Sequence, residues 1–158
     1  MLERQGLMTS GGQERGDRGM SLQERLAAVL DDILPIQRED DGALTVHHDE
    51  TFASLRVVTI AEGLDMVSLT QILVWDLPVD TKVRSKLARH ARDTLLGTVS
   101  LIEKSAGAKR NSKKVGDVLL RYNFPAAGLT DDALRTLILL VLGTGTDIRR
   151  DLIAVPGA

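Results

Sequence analysis

The sequence predicts an α+β domain with three helices on a five-stranded, mainly antiparallel sheet, in the order α-β-β-β-α-β-β-α. Three observations predict it. Apolar residues recur at helical spacing in three separated stretches, from Leu22, from Val83 and from Leu134. Between these stretches lie runs rich in β-branched residues with a period of two. Pro35, Pro78, Gly97 and Pro125 stand at the seams where the period changes.

Residues 1–20 read as a disordered tail, with five of the fourteen glycines between Met1 and Gly19 and no apolar period. Order begins at Ser21. Ser21-Leu22-Gln23-Glu24 is a capping-box pattern, in which the Ser hydroxyl and the Glu carboxylate satisfy each other's backbone N–H. Leu22, Leu26, Val29, Leu30 and Ile33 then share one helical face, and Pro35 ends a helix expected over 21–34. Asp40-Asp41-Gly42 signals a turn into a short strand, Ala43 to His48. Phe52 to Ile60 and Leu64 to Leu77 follow as longer strands, split by Glu62-Gly63, and complete a meander. On the third strand Val67, Leu69, Leu73, Trp75 and Leu77 share one parity.

Asp80 or Thr81 caps a second helix, expected to run to Leu96, with Gly97 in the left-handed position that closes helices. Thr98 to Ile102 and Val115 to Phe124 form a second hairpin around a loop rich in Lys, Gly, Asn and Ser. Thr130-Asp131-Asp132 caps the last helix, apolar on all sides from Leu137 to Leu142 and expected to kink or end near Gly143 and Gly145. The folded domain spans 21–154, and residues 155–158 fray.

Composition excludes several functions. With no cysteine there is no disulfide framework, thiolate nucleophile, iron–sulfur cluster or zinc finger. The net charge of −2 argues against a dedicated nucleic-acid binder. The longest apolar run, Leu137 to Leu142, is far shorter than the ~20 residues that cross a bilayer. No secretory signal pattern opens the chain, so a cytoplasmic location is expected.

The element order, Gly97 opening the fourth strand, and the block Leu119-Leu120-Arg121-Tyr122-Asn123-Phe124-Pro125 leading through Gly128 and Thr130 into an apolar helix resemble the YbjN-like proteins, which share the fold of type III secretion chaperones. The resemblance covers residues 21–154. It implies a small, often dimeric module without a catalytic motif, related to chaperones that bind extended or partly folded polypeptide segments.

The side chains that could carry chemistry are few. His47-His48-Asp49-Glu50 offers metal-ligand types, but neighbours on a strand point to opposite faces, so a polar strand end is expected and no metal. His90 lies on the apolar side of the second helix, and general-base work needs a partner that the sequence does not fix. Asp131-Asp132 suits a helix N-terminus and Asp40-Asp41 a turn; Asp31-Asp32, near a helix C-terminus, is solvated. Lys104, Lys109, Arg110, Lys113 and Lys114 form a basic hairpin loop without interleaved aromatics, so base stacking is not supported. All four rings, Phe52, Trp75, Tyr122 and Phe124, fall on the sheet, which makes the sheet the first place to seek a binding surface.

The expectation is a non-enzymatic, cofactor-free, chaperone-like homodimer binding a polypeptide client or partner protein, with Leu69, Leu73, Trp75, Tyr122 and Phe124 as the contact residues. The alternative is a regulatory protein that contacts nucleic acid or an acidic partner through the loop 104–114, with Lys109, Arg110, Lys113 and Lys114 carrying the contact.

Overall fold

The computed structural model describes residues 20–105 and 114–154. The expected tail, most of the basic loop (Lys109, Arg110 and Lys113 included) and the last four residues lie outside the described residues. The first helix, α1, spans Leu22–Asp31 and is capped by Ser21, whose hydroxyl accepts from Glu24 N at 3.1 Å while the Glu24 carboxylate accepts from Ser21 N. It ends three residues earlier than expected. The N–H groups of Ile33 and Leu34 both turn back to Leu30 O at 3.0 Å, which tightens the chain before Pro35.

Among the described residues the sheet has six strands, not five. The additional one, β1, is Ile36–Arg38, paired antiparallel with β2 (Leu44–His48) through Ile36 opposite Val46 and Arg38 opposite Leu44. The turn at Asp40-Asp41-Gly42 is therefore the tip of a hairpin and not the entry to a first strand. Glu39 N donates to Ala43 O at 2.8 Å, and Asp41 Oδ1 accepts from Ala43 N at 3.1 Å. A strand of Ile-Gln-Arg has one apolar residue and shows no alternation, so pairing with β2 creates it.

β3 (Thr51–Ala61) and β4 (Leu64–Pro78) complete the meander. The second helix, α2, is Thr81–Asp93, capped by Asp80. It stops short of Leu96 because Thr94 is already extended, and Gly97 then takes φ +96°. At Gly97 a side chain is excluded twice, by that angle and by Arg121 O, 2.9 Å from where a Cβ would stand. β5 (Thr98–Ser105) and β6 (Lys114–Pro125) form the second hairpin, and α3 (Asp131–Ile153) closes the chain as one unbroken helix of 23 residues. The spatial order is β1-β2-β3-β4-β6-β5, all neighbours antiparallel.

The three described helices all lie on one face of the sheet. Leu26 and Leu30 of α1, Leu87 of α2, and Leu134, Ile138, Val141 and Leu142 of α3 share one core with Leu44, Leu55, Leu69, Leu73 and Leu120 of the strands. Each such leucine, fully buried, contributes roughly 1.5–3 kcal/mol. Arg25 ties α1 to the start of α3 through Asp131 Oδ1 at 2.7 Å and the carbonyl oxygen of Leu129. A polar seam crosses the same core. Buried Gln71 donates to Thr51 Oγ1 at 2.8 Å and Leu142 O at 3.1 Å, and His48 Nδ1 meets Thr146 Oγ1 at 2.8 Å. Among the described residues no helix is long and apolar enough to cross a membrane.

Candidate functional site

Strand alternation sends every second side chain away from the helices, and those residues form an open face. Register places them in rows. His47, Phe52, Ile72 and Leu119 stand side by side on β2, β3, β4 and β6, with Ser100 of β5 at the end. The next row is Thr45, Ser54, Thr70, Arg121 and Thr98. Ile102 is the diagonal neighbour of Leu119 across β5 and β6, within reach of a long side chain. An apolar band thus runs over the middle of a face that none of the described helices covers.

Trp75 joins this band by an irregularity. In strict alternation it shares the parity of Leu73 and belongs in the core. The register shifts between Ile72 and Val74 and again between Val74 and Leu77, and Asp76 takes φ +52°. Extra residues at such bulges re-aim side chains. Val74 and Leu77 stay buried, and Trp75 is left 58% exposed. Lys104 Nζ lies 5.8 Å from its ring centroid and is held there by Asp76 Oδ1 at 2.6 Å and Asp117 Oδ1 at 3.0 Å. Hydrogen bonds from Lys104 to Asp76 and then to Asp117 hold its ammonium above its ordinary pKa. Asp117 is held below the usual carboxylate range, first by the Asp76 N–H and then by Lys104.

The other expected contact residues do not meet at this face. Leu69 is 0% and Leu73 1% exposed, and Phe124 is likewise buried; all three lie under the helices and offer no surface to a partner. Their apolar parity is the parity of the core. Tyr122 is half-buried on that same side, stacked on Phe124 at 5.2 Å. Of the five, Trp75 alone stands on the open face. Phe52 (46% exposed), Ile72, Leu119 and Ile102 (53% exposed) take the places of the rest. Their signal in the sequence was the adjacent apolar pairs Ile72-Leu73 and Leu119-Leu120, which place apolar side chains on both faces of one strand.

The histidines separate. His47 packs edge-on against Phe52 on the open face, ring centroids 4.6 Å apart, and His48 points toward α3. No cluster of three metal-ligating side chains occurs among the described residues. His90 Nε2 donates to Asp151 Oδ2 at 2.7 Å, with Arg89 at 2.9 Å and Lys86 at 3.8 Å on the same carboxylate. The bond from His90 is the main cause of a pKa below the ordinary value at Asp151. This cluster joins α2 to α3. Of the basic loop, Lys104 is paired as described and Lys114 is exposed at the start of β6.

Set against known proteins, the chain matches no protein-family model and no curated protein.

Proposed function

We propose that the protein is a non-enzymatic, chaperone-like module that holds a polypeptide segment against the open face of its sheet. One observation carries this: Phe52, Ile72 and Leu119 adjoin in one row, Trp75 and Ile102 lie on the same face, and no described element covers it. Single exposed apolar residues are ordinary, but a contiguous band rimmed by polar rows marks an interaction surface. The polar rim of Thr45, Ser54, Thr70 and Thr98 fits a face meant to be covered and uncovered in water. The resemblance to YbjN-like proteins and secretion chaperones expected from the sequence supports the same class of function.

Two copies act together, joined through β5. The other edge strand, β1, has three residues, whereas β5 has eight in unbroken register with β6 and no proline. Such an edge invites pairing with another strand. A cytoplasmic setting completes the proposal.

Trp75 is the only tryptophan in the chain and reports on its own surroundings. Titration with an unfolded, tryptophan-free polypeptide shifts its emission to the blue, and Leu119→Glu removes the shift without lowering Tm. An emission spectrum unmoved by any such polypeptide contradicts the proposal.

A further inference from the structure

Arg121 stands on the open face, on the strand next to the β5 edge and in the row beside the apolar band, flanked by Thr70 of β4 and Thr98 of β5. Among the described residues, the other Lys and Arg side chains of that face have carboxylates of their own. Arg56 pairs with Asp41 at 2.7 Å, and Lys104 with Asp76 and Asp117. Exposed Arg121 has no carboxylate partner among the described residues. Beside it opens a hollow of about 620 Å³, lined by Gly97, Thr98, Ser100, Arg121, Tyr122 and Asn123. Its rim offers hydroxyl and amide groups and no acidic side chain. The absence of a side chain at Gly97 lets that backbone close on β6 directly under Arg121.

We propose that the partner segment is acidic as well as apolar, with one carboxylate seated on Arg121 while apolar side chains cover the Phe52–Ile72–Leu119 row. This deepens the polypeptide-binding proposal above and rests on it. The physical reason is desolvation. Any segment that lies over Ile72 and Leu119 also excludes water from Arg121, two residues further along β6. A guanidinium stripped of water without an acceptor is strongly unfavourable, so a segment that covers the row must bring an anion to it. A carboxylate matches the planar fork of donors with two parallel hydrogen bonds, and the hydroxyls of Thr98 and Ser100 can donate further. Spacing sets the sequence pattern. Leu119 and Arg121 are roughly 7 Å apart along the strand, the repeat of alternate residues in an extended chain. The segment that fits therefore carries an apolar residue and an acidic residue two positions apart, on the same face of the extended chain.

The test uses the full chain and three fluorescent peptides built from the repeat Leu-Ser-X-Ser, in which X, two positions from each leucine and on the same face, is aspartate, asparagine or lysine. Binding is read by anisotropy. The aspartate peptide is expected to bind about tenfold more tightly than the asparagine peptide, the lysine peptide most weakly. Arg121→Gln brings the aspartate peptide down to the level of the asparagine peptide, and Arg121→Glu reverses the order of the charged pair. Tm of both variants stays at the parent value, because the side chain is exposed. If all three peptides bind alike and lose affinity together in Leu119→Glu, the acidic preference is wrong and the open-face site stands. If none binds, or Leu119→Glu changes nothing, the open-face site fails as well. A thymidine oligonucleotide that binds through Arg121 more tightly than the aspartate peptide overturns the proposal in favour of nucleic acid.

Discussion

Gln71 and Gly145 claim the same space: a Cβ on Gly145 would stand 2.0 Å from Gln71 Oε1. The glycine is thus a packing requirement of the core and not a helix breaker. Gly143, two residues earlier, meets nothing within 4 Å. The two glycines should respond oppositely to alanine. Gly143→Ala should stabilise by about 0.5–1 kcal/mol, the ordinary gain of alanine over glycine in a helix. Gly145→Ala should destabilise by about 1–3 kcal/mol, as overpacking does. Urea unfolding of the two variants checks both signs.

The two faces of the sheet should also separate under substitution. Leu69→Ala and Leu73→Ala remove buried side chains and should each cost about 2–5 kcal/mol. Phe52→Ser and Ile102→Ser remove open-face contacts and should cost less than about 1 kcal/mol each. The order of Tm values across the four variants tests the assignment of faces without reference to any ligand.

Acid should weaken the fold through three named carboxylates. Asp41, Asp117 and Asp151 are all held below the ordinary pKa, chiefly by Ala43 N–H, Asp76 N–H and His90 in turn. A depressed folded value means that the unfolded chain binds protons first. The contribution of each group is complete above its unfolded value near ~3.9 and is lost as pH falls through the lower folded value. Stability measured from neutral pH downward should therefore hold until about pH 5 and then decline. Asp151→Asn should make that decline shallower. Carboxyl chemical shifts followed by NMR should give each of these three a midpoint below the ordinary ~3.9.

Much of this architecture is legible in the residues. Capping at Ser21, Asp80 and Thr130, the left-handed position at Gly97 and the placing of all four rings on strands follow from local chemistry that tertiary contacts leave intact. Two features depend on distant partners and are not legible locally. Ile36–Arg38 becomes a strand through pairing with β2, and the helix passes through Gly145 because Gln71, far away in sequence, needs the space. The site divides in the same way. That the sheet carries the aromatic residues can be read directly, but which face each one takes at the end of β4 depends on two register shifts that alternation cannot foresee. Trp75 therefore faces outward, while Leu69, Leu73 and Phe124 lie in the core.

Site-directed photocrosslinking in the native cell tests the central claim most directly. A photoreactive side chain at Ile102 or Phe52 samples the open face; one at Glu62, in the turn between β3 and β4, serves as the control. Polypeptide adducts should form from the two sheet positions, be lost when Leu119→Glu is added, and be scarce from Glu62. Adducts of equal yield from all three positions, or adducts indifferent to Leu119→Glu, would contradict a binding site on the open face of the sheet.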